Sequence, residues 1–325
     1  MAGDGHAPGQ DEPRDTLGVG TGPVEDVVVP PPFGRLLITG ATGFVGGRLT
    51  RGFAEAGIAV GALVRADSDT AALDPRATIL RHDGATDTLH AAMRAFAPEA
   101  VIHAATHFVG VHGPDHVAPL IQANLLFGTQ LLDAMARCGV RHMVNFGTIW
   151  QHFAGDRYDP ATLYAATKQA FEDIAAYYAE AEGFTILTLK LPDTYGPADR
   201  RGKLVSALLQ AQREGRRLDL SPGEQTLNLL HVDDVLSGSR AALDRIRAAP
   251  ARTRESFALR GPETLSLRAL VARIERLGAR PVPVAWGARP YRAREVMRPW
   301  MGPLLPGWSA AVGLDRGLTE LMAAQ

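Results

Sequence analysis

Short apolar runs alternate with amphipathic stretches along most of the chain. The first apolar run covers 36–38, a glycine turn follows it, and residues 44–56 carry apolar side chains at helical spacing. The alternation continues with predicted strands over 58–64, 78–80, 101–105, 143–146, 185–191 and 227–231, and with predicted helices over 89–96, 121–137, 164–181 and from residues 204 and 233 onward. This order indicates an α/β fold with a doubly wound parallel sheet, Rossmann-like, with right-handed crossovers.

The two ends of the chain differ from this middle part. Residues 1–32 are rich in Gly, Pro and Asp and show neither the helical nor the strand period. We therefore expect a mobile tail over 1–32, with an arm that crosses a partner subunit as the alternative. Residues 33–190 hold the alternating pattern. Prolines interrupt the later part of 191–325, which predicts mainly a smaller, loop-rich C-terminal lobe with some segments returning to the main sheet.

Composition narrows the choice of partners. The chain has 325 residues, 46% of them apolar, and its 34 Lys+Arg against 35 Asp+Glu give a net charge of −1. This balance offers no electrostatic footprint for nucleic acid or for an anionic membrane. No apolar run reaches the roughly 18 residues of a membrane span. The single cysteine, Cys138, excludes a disulfide framework, and no His, Cys, Asp and Glu set has metal-ligand spacing, so we expect a cytoplasmic protein without a metal.

A glycine-rich turn joins the first predicted strand to the first predicted helix. Residues 39–46 read TGATGFVG, with glycines spaced one residue wider than in the G-x-G-x-x-G fingerprint. The N–H groups and the dipole at a helix N-terminus attract anions. The turn therefore predicts a pyrophosphate site in a dinucleotide-binding domain over 33–190, with 191–325 as mainly the substrate-binding lobe. The residues expected to hold the dinucleotide there are Gly40, Thr42, Gly43, Phe44, Val45 and Gly46.

The end of the second strand bears on the choice of coenzyme. An acidic residue there would bind the ribose 2′-hydroxyl of NAD, whereas an arginine accommodates the 2′-phosphate of NADP. Arg65 stands at this position and favours NADP (NADPH), with Ser68 and Arg48 as helpers. Asp67 and Asp69 follow closely, so NAD stays an alternative, as does a purely solvated role for Arg65.

A tyrosine and a lysine one helical turn apart form the candidate reactive pair. Tyr164 and Lys168 lie on one face of the predicted helix, because residues four apart are neighbours on a helix surface. A phenol has an ordinary pKa of about 10, and a nearby ammonium group stabilises its phenolate and lowers that pKa. The pair can therefore protonate an alkoxide near neutral pH.

With these motifs, the chain resembles the extended short-chain dehydrogenase/reductase family, also called the NAD-dependent epimerase/dehydratase family. The resemblance implies that Asp83 contacts adenine, that Lys168 also holds the nicotinamide ribose, and that Thr148 polarises the substrate carbonyl. It runs over about residues 35–235 and is carried by the glycine turn, Asp83, His103-Ala104-Ala105, Asn124, Thr148, the segment from Tyr164 to Lys168, Tyr195-Gly196-Pro197 and the segment from His231 to Val235. The run His103-Ala104-Ala105 is expected beside the coenzyme.

A narrower resemblance concerns residues 147–152, 163–172 and 193–197. These segments look like nucleotide-sugar 4-ketoreductases of the CDP-abequose synthase type, which implies NADPH-dependent reduction of a 4-keto group on a nucleoside-diphosphate deoxyhexose. Ile149 and Trp150 stand where family dehydratases carry an Asp-Glu pair, so 4,6-dehydration is disfavoured. Two alternatives stay open: a nucleotide-sugar 4-epimerase with retained NAD, and a catalytically silent NADP-sensing regulatory protein.

The nucleotide sugar needs contacts beyond the coenzyme motifs. Many family epimerases have Asn where this chain has Asp193, and Arg where it has Leu227, so the diphosphate must be held by other residues. Basic residues of the C-terminal lobe are the candidates, because charge-assisted hydrogen bonds suit phosphates. The residues expected to bind the substrate are His107, Trp150, Gln151, His152, Asp193, Arg200, Lys203 and Arg292, with Arg201 and Arg294 as further candidates for the diphosphate.

The helices predicted over 121–137 and from residue 164 carry more apolar side chains than one core face needs. In the family these two helices pack on a partner subunit, so the resemblance implies a homodimer. The surplus side chains are assigned to Leu125, Leu132, Met135, Phe171, Ile174 and Tyr178.

Overall fold

The computed structural model describes residues 33–323, so the tail expected over 1–32 lies outside the described residues. The strands are β1 (Arg35–Thr39), β2 (Ala59–Arg65), β3 (Thr78–His82), β4 (Ala100–His103), β5 (His142–Thr148), β6 (Thr185–Leu191), β7 (Asp193–Tyr195), β8 (Leu218–Asp219), β9 (Thr226–His231), β10 (Arg254–Ala258), β11 (Thr264–Ser266) and β12 (Val284–Ala285). The α-helices are α1 (Phe44–Glu55), α2 (Thr86–Phe96), α3 (Pro114–Ile121), α4 (Phe127–Arg137), α5 (Leu163–Glu182), α6 (Leu204–Glu214), α7 (Val232–Ala248), α8 (Leu267–Gly278) and α9 (Leu314–Ala323).

Seven strands form a parallel sheet in the order β3-β2-β1-β4-β5-β6-β10. From β1 the chain first builds outward through β2 and β3 and then returns to add β4 on the other side, which confirms the doubly wound prediction. Thr39 at the end of β1 pairs with Leu63 of β2 and with His103 of β4. Ligands of open α/β sheets bind at the carboxyl ends of the strands where the order reverses, and that point lies between β1 and β4.

Helices cover both faces of this sheet. Leu36 and Ile38 of β1 pack in one apolar cluster with α1 and α7, whereas Leu37 packs in the opposite cluster with α2, α4 and α5. Successive side chains of a strand point to opposite faces, so an uninterrupted apolar run is what a strand buried on both sides requires. Within the described range, no helix is long and apolar enough to cross a membrane.

The helix expected over 121–137 begins earlier than predicted and changes its winding. It starts at Pro114, passes through a π-helical segment over Gln122–Leu126 and continues as α4 to Arg137. The helix runs through Pro119, although a proline lacks the amide donor of a helix interior. Three of the side chains assigned to a partner surface, Leu132, Met135 and Phe171, are fully buried in the core of the subunit itself.

The chain beyond β6 divides between a small lobe and the main sheet. The small lobe has a three-stranded sheet, β11-β9-β7, and a two-stranded sheet, β12-β8, packed with α6, α8 and α9 around a separate apolar core. In contrast, β10 pairs with β6 at the edge of the main sheet, and α7 packs against α1. The small lobe therefore stands beside the carboxyl end of the sheet, with β7 leading directly from β6.

Candidate active site

A cleft of about 1160 Å³ opens along the carboxyl ends of the main-sheet strands. Its walls come from the glycine turn, the ends of β2 and β3, the loop after β4, the end of β5, the start of α5, and segments 191–194 and 201–203. The cleft therefore lies at the reversal of strand order, where a sheet of this kind binds ligands. All six residues predicted to hold the dinucleotide line it: Gly40, Thr42, Gly43, Phe44, Val45 and Gly46.

The glycine turn leaves room for a ligand because side chains are excluded from it. Gly40 has a φ of +67°, and a Cβ atom there would stand 2.6 Å from the amide nitrogen of Ala105. A Cβ atom at Gly46 would stand 2.1 Å from the carbonyl oxygen of Gly40. Gly43 caps α1, and within residues 33–323 no side chain caps this helix and its first turn has no acidic residue. Its first amide groups are therefore open to an anion, which fits a dinucleotide pyrophosphate.

His103 supports the turn and does not line the cleft, in contrast to Ala104 and Ala105, which do. Its Nδ1 lies 2.9 Å from the hydroxyl oxygen of Thr39, and its ring packs 5.0 Å from the ring of Phe171. Burial lowers the pKa of His103 to about 3, so the imidazole is neutral. The expected contact between His103 and the coenzyme is therefore replaced by a supporting role beneath the cleft.

Three residues predicted to bind the adenosine part of the coenzyme line the cleft near the ends of β2 and β3. They are Arg65, Ser68 and Asp83. The Arg65 side chain is 75% exposed, and its Nε lies 3.3 Å from the carboxylate of Asp67, so its guanidinium is free to turn toward a ligand. The Asp83 carboxylate accepts hydrogen bonds from the Ala85 amide and the Thr88 hydroxyl, which lower its pKa. Asp83 is therefore a fixed, ionised acceptor.

Two further arginines differ from the sequence prediction here: one predicted residue lies elsewhere, and one residue that contributes was not predicted. Arg48, expected to help Arg65, instead donates to Asp233 at 2.5 Å, because α1 turns its side chain toward α7. Arg81 was missed by sequence reasoning: its guanidinium donates to the carbonyl oxygens of Ala66 and Ser68 at 2.9 and 3.2 Å. Arg81 thereby fixes the loop after β2 on which Ser68 sits. Its place on a short edge strand gave no signal of this role.

Thr148 ends β5 and lines the cleft. The hydroxyl oxygen accepts a hydrogen bond from the Trp150 amide at 3.2 Å, so its proton stays available for an acceptor in the cleft. The backbone amide of Thr148 donates to the Gln151 side chain at 2.9 Å. The short 3₁₀ turn over Ile149–Gln151 therefore fixes Thr148 from two sides.

Tyr164 and Lys168 project from the first two turns of α5 into the same cleft. Burial raises the pKa of Tyr164 to about 12, while Thr106 and Arg201 nearby oppose the rise. Burial also lowers the pKa of Lys168 to about 8, and Glu172 opposes this fall. The expectation that Lys168 lowers the pKa of the phenol is therefore wrong for the protein alone: desolvation dominates, and the opposing groups are Thr106 and Arg201, not Lys168. Tyr164 is a protonated donor.

Asn124 fixes the loop after β4 against α5. Its side-chain oxygen accepts from the Thr106 hydroxyl and the His107 amide at 2.9 and 2.8 Å. Its side-chain nitrogen donates to the His107 carbonyl oxygen at 3.0 Å and to the Thr167 hydroxyl at 2.9 Å. Asn124 lies in the π-helical segment, a form of helix that often marks functional sites. The segment thus places His107 in the wall of the cleft.

Only part of the predicted substrate set faces the cleft. His107, Trp150, Asp193 and Lys203 line it. The other four residues do not line the cleft. Gln151 and His152 are buried behind β5, Arg200 is exposed to solvent, and Arg292 forms a two-pronged ion pair with Glu295 while its guanidinium carbon lies 5.0 Å from the Trp150 ring.

Arg201 faces the cleft in place of Arg200. Its guanidinium lies 4.2 Å from the centroid of the Phe44 ring and, like that of Arg292, forms a two-pronged ion pair, here with Asp199. Lys203, two residues on, also lines the cleft, and burial lowers its pKa. These two cations therefore lie between the glycine turn and the small lobe. There they are within reach of a diphosphate other than the pyrophosphate of the dinucleotide.

Phe108 builds an aromatic wall beside Tyr164 and was missed by sequence reasoning. Its ring packs edge-on at 5.0 Å against the Tyr164 ring and at 5.7 Å from the Trp150 ring. The Lys203 ammonium lies 3.3 Å from the centroid of the same ring. An aromatic residue directly after His107 was the available signal, but a loop has no period that predicts which side chain turns inward.

The fold and the cleft together define a Rossmann-type dinucleotide-binding protein. The chain belongs to the NAD dependent epimerase/dehydratase family, whose sequence pattern matches residues 36–254; this confirms the family inferred from the motifs.

Relatives and solved structures agree with this family. The chain is 21% identical over 297 residues to the CDP-abequose synthase of Salmonella muenchen, covering 89% of this chain and 97% of that protein. It is 30% identical over 141 residues to the CDP-abequose synthase of Yersinia pseudotuberculosis, covering 43% and 49%. The fold is similar to UDP-glucuronic acid 4-epimerase from Bacillus cereus in complex with UDP-glucuronic acid and NAD, with a TM-score of 0.79 and 20% identity over 89% of this chain and 98% of that one.

Proposed function

We propose that this protein is an NADPH-dependent ketoreductase that reduces the 4-keto group of a nucleoside-diphosphate deoxyhexose. The observation that carries the proposal is the convergence of Thr148, Tyr164 and Lys168 on one cleft. Directly after Thr148 come a buried Ile149 and an aromatic Trp150. Neither side chain can serve as the acid or base that eliminates water, so carbonyl reduction is the chemistry that this set supports best.

The residues around the reacting carbonyl have separate tasks. NADPH, when bound, supplies a hydride to the carbonyl carbon. Thr148 donates its free hydroxyl proton to the carbonyl oxygen and favours the charge that develops there. Tyr164 transfers its proton to the same oxygen, and its raised pKa keeps it protonated beforehand. Lys168, charged below a pKa of about 8, orients the ribose and stabilises the phenolate that remains.

The choice of NADPH rests on the adenosine end of the cleft. Arg65 lies there with its side chain largely exposed, and Ser68 sits on the loop that Arg81 fixes. An arginine and a hydroxyl suit a 2′-phosphate. Asp67 beside Arg65 is the feature that favours NAD instead, so a direct comparison of the coenzymes is needed.

The walls of the cleft support a deoxy nucleotide sugar as the substrate. Phe108 and Trp150 present apolar ring surface beside Tyr164, which suits carbons that have lost their hydroxyl groups. Arg201 and Lys203 supply positive charge for the diphosphate. The names of the Salmonella and Yersinia relatives point to the same kind of substrate. We assign the wall for the base to the small lobe within 191–325.

The subunit also offers a surface for a second copy. Ile121, at the end of α3, and Tyr177, on α5, expose 41% and 67% of their surface. Exposed apolar side chains of this kind mark association sites. The proposed homodimer therefore rests on them, and not on the core residues Leu132 and Met135. We therefore propose a homodimer through these helices.

Coenzyme stoichiometry tests the proposed function. The protein is incubated with NADPH and a panel of CDP- and dTDP-linked 4-keto-deoxyhexoses, and coenzyme absorbance and sugar NMR are followed. The proposal expects one NADPH oxidised per sugar reduced at C4. Interconversion of nucleotide sugars without net coenzyme use would identify a 4-epimerase, and coenzyme binding without turnover of any sugar would favour the NADP-sensing alternative.

A further inference from the structure

A buried polar network lies behind Thr148, on the side away from the cleft. Lys190 of β6 is its centre, with a side chain only 5% exposed, and Glu172 of α5 is 15% exposed. The Lys190 ammonium lies 3.6 Å from a carboxylate oxygen of Glu172 and 3.1 Å from the Nε2 of His152. His152 stacks at 4.1 Å on the Trp300 ring. Buried charges are costly unless they are paired, so this arrangement calls for an explanation.

Hydrogen bonds connect Glu172 to Thr148 through one side chain. The other carboxylate oxygen of Glu172 accepts from the Gln151 side-chain nitrogen at 2.8 Å. The Gln151 side-chain oxygen in turn accepts from the backbone amide of Thr148 at 2.9 Å. This orientation of the amide is fixed, because the same nitrogen also donates to Gln169 at 2.8 Å. The carboxylate of Glu172 therefore sets where the end of β5 lies.

Glu172 also acts on Lys168, one turn earlier on the same helix. Residues four apart share a face of the helix, and the negative charge of Glu172 opposes the fall in the pKa of Lys168 caused by burial. The carboxylate of Glu172 is thus linked through Gln151 to the backbone of Thr148, and it lies one helical turn from Lys168.

We propose that Glu172 is a positioning residue for the reaction: its carboxylate holds Thr148 in place through Gln151 and supports the Lys168 ammonium from one helical turn away. The inference rests on the proposed ketoreductase function. Lys190 neutralises the buried carboxylate from behind, and His152, neutral with a pKa lowered by burial and by Lys190, accepts from that ammonium. This gives Gln151 and His152 supporting roles in place of the substrate contacts expected from the sequence.

The sign of the pH effect follows from the groups around Lys168. Glu172 and Tyr164 share its helix, the neutral His103 faces it from β4, and Lys190 with His152 lies behind Glu172. Lys168 is needed in its charged form, so activity falls as the pH rises through its pKa. Removing the negative charge of Glu172 lowers that pKa and moves the alkaline limb to lower pH, by about one pH unit for a charge one helical turn away.

Three variants and one control separate positioning from folding. Glu172→Gln keeps an acceptor for Gln151 and removes the charge. The double variant Glu172→Gln with Lys190→Met removes both buried charges and leaves neither unpaired, so it keeps the stability of the parent even if the single variant does not fold. Lys190→Met alone keeps the carboxylate. Glu180→Gln, two turns further along α5 and exposed, removes a negative charge from the same helix as the matched control.

The measurement is kcat against pH for the 4-ketosugar, with coenzyme affinity against pH from fluorescence as a second readout. We expect the alkaline limb to move down by about one pH unit in Glu172→Gln and in the double variant, and to stay in place in Glu180→Gln and Lys190→Met. An unmoved limb in a folded double variant overturns the inference. If the parent reduces no ketosugar, the proposed function fails, yet the coenzyme readout still decides the effect of Glu172 on Lys168.

Discussion

Gly46→Ala tests whether the glycine turn is the coenzyme site. A methyl carbon at this position would stand 2.1 Å from the Gly40 carbonyl oxygen and 2.6 Å from its carbonyl carbon, both backbone atoms. Ordinary carbon–oxygen contacts begin at roughly 3.3 Å, so the start of α1 and the turn must separate by about 1 Å. Overpacking of this kind lowers folding stability by about 1–3 kcal/mol. The higher helix propensity of alanine offsets about 0.5–1 kcal/mol of this loss.

A separation of about 1 Å takes amide donors at the helix start out of hydrogen-bond range of a pyrophosphate. Losing charge-assisted hydrogen bonds worth about 1.5–3 kcal/mol raises the Kd for NADPH about 10- to 100-fold. Gly47→Ala is the matched control, because its methyl carbon meets only the Ala41 carbonyl oxygen, at 3.3 Å. Calorimetric titration with NADPH, beside thermal unfolding, gives both quantities. A Gly46→Ala protein that binds NADPH as tightly as Gly47→Ala does would refute the reasoning.

Further substitutions test the remaining roles. Tyr164→Phe removes the proton donor and should lower kcat by at least about 10²-fold while Kd for NADPH changes little; a variant that keeps most of its turnover in steady-state kinetics places the donor elsewhere. Arg65→Asp should reduce the preference for NADPH over NADH, measured as a ratio of kcat/KM, and a parent that already prefers NADH contradicts the coenzyme assignment. Arg201→Ala should raise KM for the nucleotide sugar about tenfold or more, whereas the exposed Arg200→Ala should not; equal effects of the two would show that the diphosphate lies elsewhere.

The parts of the fold with a strong period were predictable from the sequence. An apolar run such as 36–38 admits few alternatives to a strand buried on both faces, and β1 spans those residues. The spacing of Tyr164 and Lys168 also placed both on one helix face, since 3.6 residues make a turn. Local chemistry dictated these features, so a single sequence was enough to find them.

The site depends on tertiary features that no local pattern carries. The pKa of Tyr164 rises because the loop bearing Phe108 buries the phenol, and that loop has no period. Arg200 and Arg201 are indistinguishable in a sequence, yet the backbone turns only Arg201 inward. Gln151 looked like a cleft residue because it follows Thr148 closely, but a single turn of 3₁₀ helix carries it behind the strand.

The most direct test of the central claim follows the hydride itself. NADPH carrying deuterium at the transferable position of nicotinamide C4 is incubated with the protein and a nucleoside-diphosphate 4-keto-deoxyhexose, and the product is examined by NMR. The account predicts one deuterium at C4 of the sugar for each NADPH oxidised. A sugar product with no deuterium at C4, or one formed with no net oxidation of NADPH, would contradict it.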